Sequence, residues 1–439
     1  MLAEKFNENP PALSDSLHFA TAQIHAGHRI DPTTRASNPP IYASTSFVFD
    51  NADHAANVQH GKTAGYCYSR ISNPTVEVFE ERMTVLEGGV AAVAASCGLA
   101  AQFMAIFTIA GAGDNIISSS FLYGGTRTQF QFAFKRLGIQ VKFIDTLDPA
   151  DWAAAVDEKT KAFFVETISN PKLVFNPIKE LSEVAHNARI PLIVDNTVGM
   201  GGYLVRPIDH GADIVVESAT KWIGGHGRTL GGIIVDSGKF DWKLSGKFPM
   251  LTEPSESFRD VVFVEEFGSA AFAAKVRFET RRDLGSLMDP FAAFSLLTGL
   301  ETLSLRAERH CKNALALAQW MEKHPKVAWV SYLGLESHPC HVRAKNYVRA
   351  GMYGGVLTFG PRGGECGAHT VVNNLKLTSH LANLGDTRTL AVLPTGKTAV
   401  RTSDDVPDIS TDTIRVSVGI EDLSDILADF EGALSALPS

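Results

Sequence analysis

From Asn73 onward the chain alternates amphipathic stretches with short, wholly apolar runs. Val76, Phe79, Met83 and Leu86 recur at the spacing of one helical face, with Pro74 suited to the first turn and Asn73 to the cap. The runs VAAVAAS (90–96), DNIISSS (114–120), QVKFID (140–145), KAFFVET (161–167), PLIVDN (191–196), ADIVVESAT (212–220) and GGIIVDS (231–237) read as strands. Helices are predicted between them, from about Leu99, over 125–137 and near 178–188. Strands apolar on both faces and separated by helices predict an α/β fold with a mainly parallel central sheet sandwiched by helices. Right-handed crossovers then place the strand ends, and any ligand, along one edge.

The pattern lapses on either side of this region. Residues 1–70 show no sustained period, and SNPPIYASTSFVFD (37–50) sets proline breakers beside a short β-prone piece. They read as an extended arm with little core of its own, of the kind that reaches onto a neighbouring subunit. Between about 237 and 268 the pattern lapses into a polar stretch with Phe and Pro, SGKFPMLTEPSESF (245–258), which reads as an ordered surface insertion. Beyond it come a helical region over 290–323, GGVLTFG (354–360), a helix near 366–376, TIRVSVG (413–419) and a final amphipathic helix. The expected organisation is an arm (1–70), a large α/β domain (71–280) and a smaller α+β C-terminal domain (281–439).

Composition narrows the function more than the fold. The 439 residues carry a net charge of −8, so a polyanionic partner such as nucleic acid is not expected. Five scattered cysteines make no disulfide framework and fit a reducing compartment. The opening MLAEKFNENPPALSDS has no apolar core of a secretory signal, and no apolar run reaches the ~20 residues of a membrane span. A soluble cytoplasmic protein is the expectation.

Candidate chemistry clusters at the predicted strand ends. Lys221, in VVESATKWIGGHG, directly follows an apolar strand, with Ser218 and Thr220 before it and a Gly-rich turn after. A lysine held there can lose its proton and form an imine with an aldehyde cofactor, although a structural lysine fits the segment alone equally well. Asp195 ends PLIVDN, where a carboxylate can keep a pyridinium nitrogen protonated or simply cap the next turn. Thr197 can support a ring from the same loop. Gly98 and Leu99, in SCGLAA, would offer backbone amides to a phosphate, or form an ordinary strand-to-helix connection. Tyr123 in LYGGT can stack on a ring or fill the core. Tyr68 and Arg70 in YCYSRISNPT can clamp a phosphate or form a surface pair. Arg415, among β-branched residues, needs an anion, either a substrate carboxylate or an internal Asp or Glu. No metal site is expected: HPCH (338–341) lacks a second ligand pair, and GAGD (111–114) precedes a strand and so is no dinucleotide fingerprint.

Together YSRISNPT, SCGLAA, LYGGT, ETISNP, VDNT, SATKWIGGHG, LANLGD and IRVSVGIED resemble the Cys/Met-metabolism family of pyridoxal 5′-phosphate (PLP) enzymes. The resemblance runs from about Gln23 to IEDLSDI (420–426), and GKFPMLTEP with LANLGD looks like the O-acetylhomoserine sulfhydrylase branch. It implies a fold-type I enzyme, a homotetramer built as two dimers with shared sites, and a γ-replacement on O-acetyl-L-homoserine. In that reading protons leave Cα and Cβ, acetate departs from Cγ, and a nucleophile adds there. Lys221 would carry PLP and shuttle protons, and Asp195 would hold the pyridinium nitrogen. Gly98, Leu99, Ser218 and Thr220 would bind the phosphate, joined by Tyr68 and Arg70 from a neighbouring subunit. Tyr123 would stack on the ring and assist proton transfer. Asn170 would lie near the 3-hydroxyl with Glu166 close by, and Arg415 with the Asn383 region would hold the substrate carboxylate.

Two positions depart from the resemblance. Cys97 stands where the family has Ser or Ala. After LANLGD the chain reads LAVLPTGKTAVRTSDDVPD (390–408), with Leu393, Thr395, Gly396 and Lys397 around Pro394 where a His-Pro-Ala-Ser segment is usual. That substitution opens the acceptor to a carbon nucleophile, such as an enolised keto acid, keto ester or aldehyde, beside sulfide or a thiol. A γ-lyase releasing 2-oxobutanoate and a non-catalytic PLP-binding scaffold are the other readings.

Overall fold

The computed structural model describes residues 17–31, 33–59, 63–394 and 409–438. Its centre is a seven-stranded sheet: β1 (Ala91–Ala95), β2 (Asn115–Ser119), β3 (Gln140–Ile144), β4 (Thr160–Glu166), β5 (Leu192–Asp195), β6 (Ile214–Glu217) and β7 (Gly232–Asp236). The order is β1-β7-β6-β5-β4-β2-β3. All neighbours are parallel except β7, which runs antiparallel to both β1 and β6. The connection from β6 to β7, residues 218–231, contains no helix long enough to cross the sheet, so the chain turns back where it would otherwise cross over. Lys221 lies in that turn.

Successive strand residues go to opposite faces, and both faces are buried. Phe163, Leu192, Val194 and Val215 join one core, while Phe164, Ile193, Ile214 and Val216 join the other. The helices α1 (Pro74–Glu87) and α2 (Gly98–Ile109) cover opposite sides of this sheet. As the spacing predicts, Asn73 caps α1, its Oδ1 accepting from Thr75 N at 3.0 Å, and Val76, Phe79, Met83 and Leu86 are buried. The predicted strands are all formed.

The stretch 245–258 corrects the reading of a surface insertion. Phe248 and Leu251 are fully buried and pack with Trp242, Phe263, Phe267 and Phe272 against the sheet. Its polar residues mark turns between very short helices, and the aromatic side chains between them supply core volume. The predicted helical region 290–323 is two helices, Pro290–Leu300 and α3 (Leu303–Lys323). Leu303, Ala307 and Cys311 of α3 join the large core, and Ala314, Leu317 and Met321 a second one. That second core lies against a five-stranded sheet of β8 (Val327–Ser331), β9 (Val356–Pro361), β10 (Ser379–His380), β11 (Leu390–Val392) and β12 (Ile414–Ser417), in the order β10-β11-β12-β9-β8. Among the described residues no helix is long and apolar enough to cross a membrane.

One buried charge network fixes where β1 ends and α2 begins. Glu80 of α1 accepts from Ala94 N at 2.8 Å, from Arg277 Nη2 at 2.7 Å and from Arg281 Nη1 at 2.9 Å. Arg277 also donates to the Ala92 carbonyl at 2.9 Å, so the two arginines tie helix and strand together. Replacing Glu80 by Ala strands two buried guanidinium groups. Glu80→Ala is expected to lower stability by about 3–5 kcal/mol in urea titration; a change below about 1 kcal/mol would show the network to be dispensable.

Candidate active site

The C-terminal ends of β4, β5 and β6 open onto a cavity of about 210 Å³. Register puts Glu166 beside Asp195, and Asp195 beside Val216. Lys221 enters from the β6–β7 turn, Gly98 and Leu99 from the start of α2, Tyr123 from the loop after β2, and Asn383 with Arg415 from the C-terminal domain. Thr197, Ser218, Thr220 and Asn170 complete the predicted set that lines it. Tyr68 and Arg70 do not line this cavity. Arg70 sits 5.3 Å from the Tyr68 ring centroid, and its Nη1 donates to the Arg282 carbonyl at 3.0 Å.

Lys221 Nζ donates to Asn383 Oδ1 at 2.6 Å. Burial, reinforced by the nearby positive charge of Arg415, pushes its pKa down to about 8. Arg415 is only 8% exposed; its Nη1 donates to Asn170 Oδ1 at 3.2 Å and its Nη2 to the Asn383 carbonyl at 2.8 Å. Its Nε is buried with no partner among the described residues, so the guanidinium still has a donor to give. Burial lowers its pKa to about 10.

Opposite these cations stand two carboxyl groups. Glu166 accepts from the backbone N–H of Tyr123 and from that of Asn170, the latter at 3.1 Å. Burial, with repulsion from Asp195, raises its pKa well above the usual carboxylate range. Asp195 Oδ1 accepts from Thr197 N at 2.9 Å, and burial raises its pKa as well. Thr197 Oγ1 in turn accepts from Ser218 N at 2.8 Å, which locks the β5 loop to the segment leading to Lys221.

The opening turn of α2 is built for an anion. Cys97, its cap, makes no side-chain hydrogen bond to the helix, which leaves the first amides available. A side chain at Gly98 would put its Cβ 2.7 Å from that of Ser218, so only glycine lets these two backbones meet. PLP fits this donor set. Its phosphate suits the α2 amides with Ser218 and Thr220, its ring nitrogen suits the desolvated Asp195, and its aldehyde suits the amine of Lys221.

Sequence reasoning did not select Gln102, Thr126, Ile168, Val198, Leu230, Ala382 or Leu384, which also line the cavity. Gln102 left a signal: it is the one polar side chain in the first half of a mostly apolar helix. It accepts from Thr126 Oγ1 at 3.1 Å and so ties α2 to the loop bearing Tyr123. Of the altered segment, Leu393 is buried in the C-terminal core and does not line the cavity. Thr395, Gly396 and Lys397 lie outside the described residues.

A buried lysine with a lowered pKa, a carboxylate at a strand end and a helix start shaped for phosphate, on a sheet of this order, define a fold-type I PLP-dependent enzyme. The Cys/Met metabolism PLP-dependent enzyme family matches residues 20–435, and the chain belongs to that family. It is similar to the homocysteine synthase of Schizosaccharomyces pombe, 54% identical over 96% of this chain and 99% of that one. It is also similar to O-acetyl-L-homoserine sulfhydrylase 1 of Thermus thermophilus, 48% identical over 95% of this chain and 100% of that one. A crystal structure described as an O-acetylhomoserine (thiol)-lyase of Campylobacter jejuni, containing N′-pyridoxyl-lysine-5′-monophosphate, superposes with a TM-score of 0.91 at 32% identity, covering 95% of this chain and 100% of that one.

The lowered pKa of Lys221 predicts how PLP is taken up. The neutral amine is the reactive form, and it is the minority below about 8. The rate at which apoprotein captures PLP is expected to rise about tenfold per pH unit below that value and to level off above it. A rate still climbing steeply at pH 9.5 would show an ordinary exposed lysine.

Proposed function

We propose that this chain catalyses γ-replacement on O-acetyl-L-homoserine, releasing acetate and adding sulfide at Cγ to give homocysteine. The observation that carries the reading is the pairing, in one cavity, of a Lys221 whose pKa is lowered to about 8 with an Arg415 whose Nε is buried and has no partner among the described residues. That is a base beside an anion receptor, which is what an α-amino acid requires. The sulfhydrylase and homocysteine synthase relatives supply the substrate and the sulfide.

Bound PLP supplies an aldehyde for the substrate amine and an electron sink for charge arising at Cα. Arg415 and the Asn383 backbone hold the α-carboxylate, which aims the Cα–H at Lys221. Lys221 would take that proton, hand it on to the bound cofactor and, neutral again, take one from Cβ, a double task suited to a long side chain. Asp195 keeps a proton on the ring nitrogen. Glu166 fixes the backbone at Tyr123 and Asn170, so Tyr123 lies over the ring and Asn170 near the 3-hydroxyl. Gly98, Leu99, Ser218 and Thr220 hold the phosphate. Tyr68 and Arg70, outside their own cavity, complete the phosphate site of a neighbouring subunit in a homotetramer, and the enzyme works in cytoplasmic amino-acid metabolism.

The altered segment after LANLGD is the ground for a second reading, in which a carbon nucleophile takes the place of sulfide. Incubating the PLP-loaded protein with O-acetyl-L-homoserine and sulfide, then with keto acids, keto esters and aldehydes, separates the two by mass spectrometry. Homocysteine is the expected main product, absent with Lys221→Ala. A carbon–carbon adduct with little homocysteine would move the acceptor to carbon, and 2-oxobutanoate alone would make the protein a γ-lyase.

A further inference from the structure

Two carboxyl side chains face each other just outside the cavity. Glu87 ends α1 and Glu217 ends β6, on the strand that leads to Lys221; they are 0% and 1% exposed. Each has one oxygen engaged by the segment after Asp195. Glu87 Oε1 accepts from Asn196 Nδ2 at 2.8 Å, and Glu217 Oε2 accepts from Gly201 N at 3.1 Å. The remaining oxygens, Glu87 Oε2 and Glu217 Oε1, are buried with no hydrogen-bond partner among the described residues, and each carboxyl group bears directly on the other's protonation. Two carboxylates have acceptors only, so these oxygens can bond to each other only across a shared proton. Burial is the main cause that raises both groups above the usual range, and the neighbouring negative charge raises Glu217 further. The charged groups facing the pair are Arg206, which favours one negative charge, and Asp209 and Asp195, which oppose a second.

The pair grips the loop that presents Asp195. The Asn196 side chain is held by Glu87, by the Val205 carbonyl at 2.9 Å and by Thr167 Oγ1 at 2.7 Å. Gly201, farther along the same loop, is held by Glu217. Between these two anchors lies Thr197, which donates to Asp195 and accepts from Ser218. We propose that Glu87 and Glu217 are positioning residues that share one proton and, through that bond, hold the 196–205 loop so that Asp195 meets the cofactor's ring nitrogen. The inference rests on the assignment of Asp195 to that nitrogen. A dyad with one proton places a single negative charge behind Asp195 instead of two, and it fastens the loop from α1 and β6 at once.

The test compares Glu217→Gln with Glu217→Ala, both read as holoenzyme. In Glu217→Gln an amide N–H replaces the shared proton and the amide oxygen still accepts from Gly201. It is expected to recover the PLP affinity and visible absorbance that Glu217→Ala loses, the loss in affinity being about tenfold. The infrared difference between native holoenzyme and Glu217→Gln at neutral pH should show the carbonyl stretch of one protonated carboxylic acid. Absence of that band, or native PLP affinity and absorbance in Glu217→Ala, overturns the proposal. Should Glu217→Ala fail to fold, the infrared difference decides alone. No substrate enters, so failure of the assigned reaction leaves the test standing. An unchanged cofactor spectrum in Asp195→Asn would instead sink the assignment of Asp195 itself.

Discussion

The site depends on keeping two cations and two carboxyl groups in one buried cavity without letting them neutralise each other. The hydrogen bonds of Lys221 and Arg415 go to amide and carbonyl oxygens of Asn383 and Asn170, and those of Glu166 and Asp195 come from backbone N–H groups. Among the described residues, each of these groups is therefore fixed in position but left without an ionic partner. Removing such groups from water costs several kcal/mol apiece, a cost that incoming ligands offset when they complete the pairing. The group that fits Asp195 is a ring nitrogen carrying a proton, and the group that fits Arg415 is a carboxylate.

The fold makes this arrangement rigid by spending its topology on one edge. Parallel β4 and β5 deliver Glu166 and Asp195 side by side, and β6 beside them leads into Ser218. The antiparallel return of β7 keeps the turn bearing Lys221 at that same edge instead of sending it across a helix. Arg415 comes from a different sheet, on β12, so in the proposed reading the substrate's anchor and the cofactor's holders belong to different sheets. α3 spans both cores and holds the two halves in register.

Much of this was legible because each strand is an apolar run ending in a residue that has no reason to be there otherwise. Lys221 and Asp195 stand out in that way, as does Arg415 among Ile and Val, whereas Glu166, Asn170 and Asn383 came only through the family resemblance. The surface reading of 245–258 failed because proline, serine and glutamate dominate its composition, whereas Phe248 and Leu251 decide its packing. Gln102, Thr126 and Leu230 escaped because their contribution depends on which helix or turn faces the cavity, a tertiary fact with no local period. The Glu87–Glu217 contact joins residues far apart in the chain, one at a helix end and one at a strand end. Read singly, each looks like an ordinary terminal carboxylate.

The central claim is that Arg415 is held buried and incompletely partnered in order to take the substrate carboxylate. Steady-state kinetics of Arg415→Leu with O-acetyl-L-homoserine and sulfide, beside a PLP titration of the same variant, tests it most directly. The account predicts a KM for O-acetyl-L-homoserine raised about a hundredfold, with PLP affinity and visible absorbance retained. An unchanged KM, or a variant that loses PLP while binding substrate normally, would contradict it.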